Sequence, residues 1–108
     1  KSVSQSSTEQ VLDLGDLMIN RASRAVTLAG ESLELRPREF DLLAHLAANP
    51  GRVYTRDQLL HEVWGFEYSG DTRTVDVHVR WLRLKIEKNP AKPTLLSTVR
   101  GVGYRINV

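Results

Sequence analysis

Near its C-terminus the chain reads STVRGVGYRI, residues 97–106, with Arg100 and the Tyr104–Arg105 pair set on either side of two glycines. A second cationic run precedes it. Arg73, Arg80, Arg83, Lys85 and Lys88 all fall within TRTVDVHVRWLRLKIEK, residues 72–88. Guanidinium and ammonium groups at this density supply hydrogen-bond donors and positive charge, which is the chemistry of anion binding. The overall net charge of +2 conceals their distribution. Residues 1–72 hold 7 Lys/Arg against 11 Asp/Glu, a net of −4, whereas residues 73–108 hold 8 against 2, a net of +6. A basic third on an otherwise acidic chain points to a polyanionic partner, with a merely solvated basic face as the alternative that charge alone leaves open.

Bond-breaking chemistry has no comparable signature. His45, His61 and His78 belong to three separate segments, there is no cysteine, and no HExxH, GxSxG or Walker-type loop occurs. "GVG" at residues 101–103 is too short to cradle a phosphate, and His61–Glu62, adjacent on a helix, point different ways as a solvated pair. The expectation is a non-enzyme without metal or cofactor. The lack of cysteine agrees with a reducing, cytoplasmic setting. No apolar run reaches the roughly 18–20 residues of a membrane span, and no signal peptide is visible.

The elements that must carry the cations follow from patterning. The chain starts at Lys1, and KSVSQSSTEQ is Ser/Gln-rich with little to bury, so residues 1–10 read as a linker or tail and residues 11–108 as one domain, cut from a longer protein. Turn signals at Gly15–Asp16 and Gly30 break residues ~11–35 into a four-stranded antiparallel meander. Pro37 opens a helix in which Phe40, Leu43, Leu46 and Ala47 recur at helical spacing until Asn49–Pro50–Gly51. Thr55 and Gln58 form a capping box for a second helix, with Leu59, Leu60 and Val63 as its apolar stripe and Gly65 as its stop. A polar loop leads to the third helix, residues 72–88. Val75, Val79, Leu82 and Ile86 form its core stripe; Arg73, Val77, Arg80, Trp81, Leu84 and Lys88 gather opposite.

Val77, Trp81 and Leu84 among cations suit a groove with phosphates at its rim and thymine methyls on its floor. A capped helix, a loop, a basic helix and a basic hairpin make a winged helix-turn-helix, so helix 72–88 is expected in the major groove of double-stranded DNA and hairpin 95–108 as the wing. Arg100 on that wing reaches the adjacent minor groove, and Tyr104 offers its hydroxyl to a phosphate.

ELRPREFDLLAHLAANPGRVYTRDQLLHEVWG, DTRTVDVHVRWLRLKIE and STVRGVGYRI closely resemble the OmpR/PhoB-type effector domain of bacterial two-component response regulators, over about residues 11–108. The resemblance implies an α+β fold: an N-terminal four-stranded sheet, three helices and a C-terminal β-hairpin wing. It implies a receiver domain elsewhere in the full-length protein, and binding to promoter direct repeats as head-to-tail pairs. It also implies phosphate contacts through Arg56, Arg73, Thr74, His78, Arg80 and Arg83, base contacts through Val77 and Trp81, and minor-groove entry by Arg100. The loop Trp64, Gly65, Phe66, Glu67, Tyr68, Ser69, Gly70 and Asp71 matches the region where activators meet RNA polymerase.

Two positions depart from the family pattern. Several relatives have a base-reading arginine where Trp81 stands, and relatives often place a Thr or Ser cap where Arg36 stands. Trp81 is thus read either as a base contact or as packing against the hairpin, Trp64 as packing or as a phosphate or polymerase contact, and His78 as a contact or an ordinary surface residue. Without a heptad repeat the domain is expected to be a monomer in the absence of DNA. A protein-docking module using the Val77/Trp81/Leu84 stripe is the competing function.

Overall fold

The structure, a computed structural model, describes residues 11–107; the expected tail, residues 1–10, lies outside them. Strands β1 (Val11–Leu14), β2 (Leu17–Asn20), β3 (Ala25–Leu28) and β4 (Glu31–Leu33) form the expected antiparallel meander in the order β1-β2-β3-β4. Leu14 faces Leu17 and Ile19 faces Val26 across the ladders, and these four side chains are buried while Met18 points outward. Strand alternation thereby gives the sheet one apolar face.

Helix α1 (Pro37–Ala47) covers that face with Phe40, Leu43, Leu46 and Ala47 buried. Arg24, at the β2–β3 turn, pins the two layers together. Its Nη1 donates to Asp41 at 2.9 Å, its Nη2 donates to the Pro37 carbonyl at 3.2 Å, and its guanidinium lies 4.4 Å from the Phe40 ring centroid.

The Thr55–Gln58 capping box is present: Gln58 N–H donates to Thr55 Oγ1 at 3.0 Å and Thr55 N–H to Gln58 Oε1 at 2.9 Å. It opens α2 (Arg56–Leu59), which widens into a π-helical turn over Leu60–Trp64 before Gly65, at φ 109°, ends it. Helix α3 (Arg73–Ile86) buries Val75, Val79, Leu82 and Ile86, the expected stripe. It ends two residues before the expected Lys88, because Glu87 turns extended. The Glu87 carboxylate, 7% exposed, then accepts N–H bonds from Thr94, Leu95 and Leu96 at 2.8–2.9 Å.

The wing is the hairpin β6 (Leu96–Val99) and β7 (Gly103–Ile106). A two-residue strand β5 (Tyr54–Thr55), absent from the sequence reading, completes a second sheet in the order β5-β7-β6. Gly101 sits at φ 75° in the wing turn, where Val102 N–H bonds the Val99 carbonyl at 2.9 Å. Gly103 serves differently: a Cβ there would strike the Tyr54 backbone carbonyl of the neighbouring strand.

Glu39, on α1 and fully buried, links the layers to α3. Its carboxylate accepts from Arg36 N–H at 2.8 Å, Arg36 Nη1 at 3.2 Å and Lys85 Nζ at 2.7 Å. Burial alone would raise its pKa; the Lys85 and Arg36 hydrogen bonds outweigh burial and hold it below the ordinary carboxylate value. A lowered folded pKa stabilises the fold above the unfolded value, and that contribution disappears as pH falls through the folded one. Glu39→Gln should therefore lower stability at neutral pH by about 1–3 kcal/mol. In urea unfolding followed from pH 7 to pH 3, the gap to the parent should close toward acid; a gap constant with pH would contradict the linkage.

Candidate nucleic-acid interface

Helix α3 is held in one rotation about its axis by bonds on both flanks. Lys85 reaches Glu39 and also the Glu34 carbonyl at 3.0 Å on one side. On the other, Arg83 Nε and Nη2 donate to the Leu96 carbonyl at 3.0 and 2.9 Å, and Nη2 also donates to Thr98 Oγ1 at 2.7 Å. Asp76 accepts the Tyr104 hydroxyl at 2.5 Å and pairs with Arg56 Nε at 3.0 Å, joining α2, α3 and β7 in one cluster. At the helix start, Asp71 Oδ1 accepts Arg73 N–H at 2.9 Å while its Oδ2 pairs with the Arg73 guanidinium at 3.0 Å. The backbone bond first, then the guanidinium, holds the Asp71 carboxyl below its usual pKa. Both acids of the basic third, Asp76 and Glu87, are thus occupied within the fold.

The opposite side of α3 is open. Arg73, Val77, Arg80 and Leu84 are exposed at helical spacing, Val77 at 40% and Leu84 at 63%. Arg100 is exposed at the wing turn. Thr74 and His78 are half-buried, and His78 Nδ1 donates to the Thr74 carbonyl at 2.7 Å. Arg56 is exposed beside Asp76; the Tyr104 hydroxyl and then Asp76 raise its already high pKa.

Two of the expected phosphate contacts have their donors engaged within the fold. Tyr104 is 6% exposed and its hydroxyl already donates to Asp76, with burial and then that bond raising its pKa, so it is an internal tie. Alternation along β7 put it on the inward face with Ile106, a signal present in the sequence. Arg83 is half-buried and straps α3 to β6 through the bonds just described, with its guanidinium 5.7 Å from the Tyr104 ring centroid.

Trp81 lies half-buried on the flank. Its ring sits 4.9 Å from His78, and the Arg36 guanidinium lies 4.4 Å above it, so neither of the two sequence readings described its surroundings. Trp64 also meets His78 edge-on at 4.9 Å and packs, partly buried, against the core. In the loop that follows, Gly65 terminates α2 and Asp71 starts α3, while Phe66, 81% exposed, stacks on His61 at 5.2 Å. Glu67, Tyr68, Ser69 and Gly70 are exposed between them. The His61–Glu62 pair splits as expected: Glu62 turns to His45, 2.5 Å away. Among the described residues no group of His, Asp and Glu could hold a metal, and no helix is long and apolar enough to cross a membrane.

A family model described as "Transcriptional regulatory protein, C terminal" matches residues 30–106. The chain belongs to that family. The DNA-binding response regulator MtrA of Mycolicibacterium smegmatis is 50% identical over 96 residues, covering 89% of this chain and 42% of MtrA. The sensory transduction protein RegX3 of Mycobacterium leprae is 48% identical over 99 residues, covering 92% of this chain and 50% of RegX3. The chain spans about half the length of these relatives. Response regulator DrrB of Thermotoga maritima, an OmpR/PhoB homolog, superposes with a TM-score of 0.87 at 31% identity over 99% of this chain and 52% of DrrB. The RstA DNA-binding domain of Klebsiella pneumoniae, solved in complex with the RstA box, gives 0.82 at 37% identity over 91% of this chain and 97% of that one. The OmpR/PhoB resemblance and the winged-helix fold read from the sequence are borne out.

Replacing the straps should loosen this OmpR/PhoB-type domain. Arg83→Ala leaves the Leu96 carbonyl and Thr98 hydroxyl without their donor, and Tyr104→Phe removes the Asp76 tie. Each should cost about 1 kcal/mol, or about 4–8 °C in melting temperature. Calorimetric scans that leave either variant at the parent's temperature would return that side chain to the list of open contacts.

Proposed function

We propose that this domain is the sequence-specific, double-stranded-DNA-binding output of a bacterial two-component response regulator. The observation that carries the reading is the exposed stripe Arg73, Val77, Arg80 and Leu84, directly opposite the buried stripe of α3. Arg73 and Arg80, alternating with Val77 and Leu84 along the stripe, match phosphate rims and thymine methyls, and a 14-residue helix, about 21 Å long, fits along a major groove about 12 Å wide. The wing places Arg100 to enter the neighbouring minor groove, whose negative potential favours guanidinium. That RstA was solved with its DNA box, and that MtrA is a DNA-binding regulator, supports the assignment by likeness.

In this reading Val77 and Trp81 face bases, and Arg73, Arg80, Thr74, His78 and Arg56 lie toward phosphates. A receiver domain in the same protein controls pairing. The isolated domain is a cytoplasmic monomer that forms head-to-tail pairs on direct repeats, and it performs no catalysis. Phe66, the most exposed large apolar side chain described, makes the loop before α3 the surface offered to RNA polymerase.

Selection of fragments from a random duplex library should return a repeated site. On that site log K should fall with log[salt] with a slope of about −3, and Arg80→Ala should make it shallower by about one. Arg100→Ala should lose about 1–3 kcal/mol of binding, mostly at A/T-rich flanks. A parent domain that enriches no sequence and shows no salt-dependent binding would leave a docking module as the better account.

A further inference from the structure

The residue before Pro37 occupies the N-cap of α1, where short side chains that accept a hydrogen bond are favoured. Arg36 has no acceptor to offer there. Half of the reciprocal arrangement survives, because Glu39 accepts the Arg36 N–H. The Arg36 side chain turns elsewhere: its guanidinium lies 4.4 Å from the Trp81 ring centroid, with Nη1 3.2 Å from Glu39 Oε2. It remains 61% exposed.

The contact is one rung of a ladder. Arg36 covers Trp81, Trp81 packs on His78 at 4.9 Å and 59°, and His78 meets Trp64 edge-on at 4.9 Å and 79°. Glu39 anchors the first member and the Thr74 carbonyl anchors His78. Contacts on the ring narrow the set of rotamers open to an indole on a helix flank. Here His78 meets it from α3 itself, and the cation comes from a different helix. A guanidinium over an indole can still donate through its N–H groups, as Arg36 Nη1 does to Glu39.

We propose that Arg36, outside the recognition helix, is a specificity-positioning residue: it locks the Trp81 indole in one orientation so that the pair reads DNA as a unit. This rests on the DNA-reading function of α3 proposed above. A locked indole presents one N–H donor and one apolar edge in a fixed direction. A released indole presents them in several, and discrimination between bases falls even where affinity is retained. The guanidinium itself is needed as well as its charge, since the compact, strongly hydrated lysine ammonium does not replace it over the ring while also bonding Glu39.

Three measurements on the intact domain test this. In a Trp64→Phe background Trp81 is the one remaining tryptophan; with excitation at the red edge, where tyrosine does not absorb, Arg36→Ala should shift its emission and increase its quenching by acrylamide. In fragment selection, Arg36→Ala should reduce preference at the position read by Trp81 by about threefold, the equivalent of one exposed cation–π contact. Arg36→Lys should not restore the preference, although it restores the charge. Adding Trp81→Ala to Arg36→Ala should remove no more discrimination than Trp81→Ala alone. If Arg36→Ala selects the parent's site with undiminished preference while Trp81→Ala alters it, Arg36 positions nothing and the proposal fails with DNA reading intact. Full rescue by lysine would reduce Arg36 to a charge and also overturn it. A parent domain that selects no site fails the DNA-reading function itself, a separate result from either.

Discussion

Val75, Val79, Leu82 and Ile86 are each at most 1% exposed, and burying them dictates which way every other residue of α3 faces. Each contributes roughly 1.5–3 kcal/mol of transfer free energy, so rotating the helix by one residue would strand a large part of the stability of a domain this size. The outward stripe inherits its orientation from the inward one. Glu39, Asp76 and Glu87 then refine the position. Glu39 draws Lys85 toward α1, Asp76 receives Tyr104 from the wing, and Glu87 collects the three N–H groups that lead into β6. Recognition helix and wing are therefore one rigid unit built on α1.

The same bonds explain how a chain of net charge +2 presents a strongly basic face. The two acids of the last third are turned into the fold as acceptors, while Arg80 and Arg100 stay exposed to solvent. Not every cation is available, however. Arg83 and Lys85 are committed to carbonyl and carboxylate acceptors inside the domain, while Arg80 and Arg100 remain exposed. Charge count in sequence overstates the number of cations the fold leaves open, and hydrogen-bond geometry shows which arginines are already engaged.

What the sequence made legible was whatever repeats over a short range. The 3.6-residue stripe of α3, the alternation of β1 to β4 around two glycine turns, and the Thr55–Gln58 box each depend on neighbours within a few positions, and each is present. What it concealed depends on partners far along the chain. Strand β5 exists because Tyr54 and Thr55 pair with Tyr104 and Gly103, and two residues carry no periodicity. The π-helical turn at Leu60–Trp64 has no local signal in the sequence, and its last residue packs against His78 of α3. Trp81 was placed on the outer face by the helical wheel. It lies on the flank because its ring leans toward His78 and under Arg36, which is 45 residues away in sequence. Residue type points to Tyr104 and Arg83 as contacts and cannot show that their donors are engaged inside the domain.

The central claim is that the stripe opposite the core of α3, together with the wing turn, meets DNA while the meander does not. Backbone amide shift mapping tests it most directly, with the labelled domain titrated by a duplex carrying its selected site. The account predicts large changes at Arg73, Val77, Arg80, Trp81 and Leu84 and at residues 99–102, with β1 to β3 nearly unmoved at one domain per duplex. Changes centred on β1 to β3, with α3 and the wing silent, would contradict it.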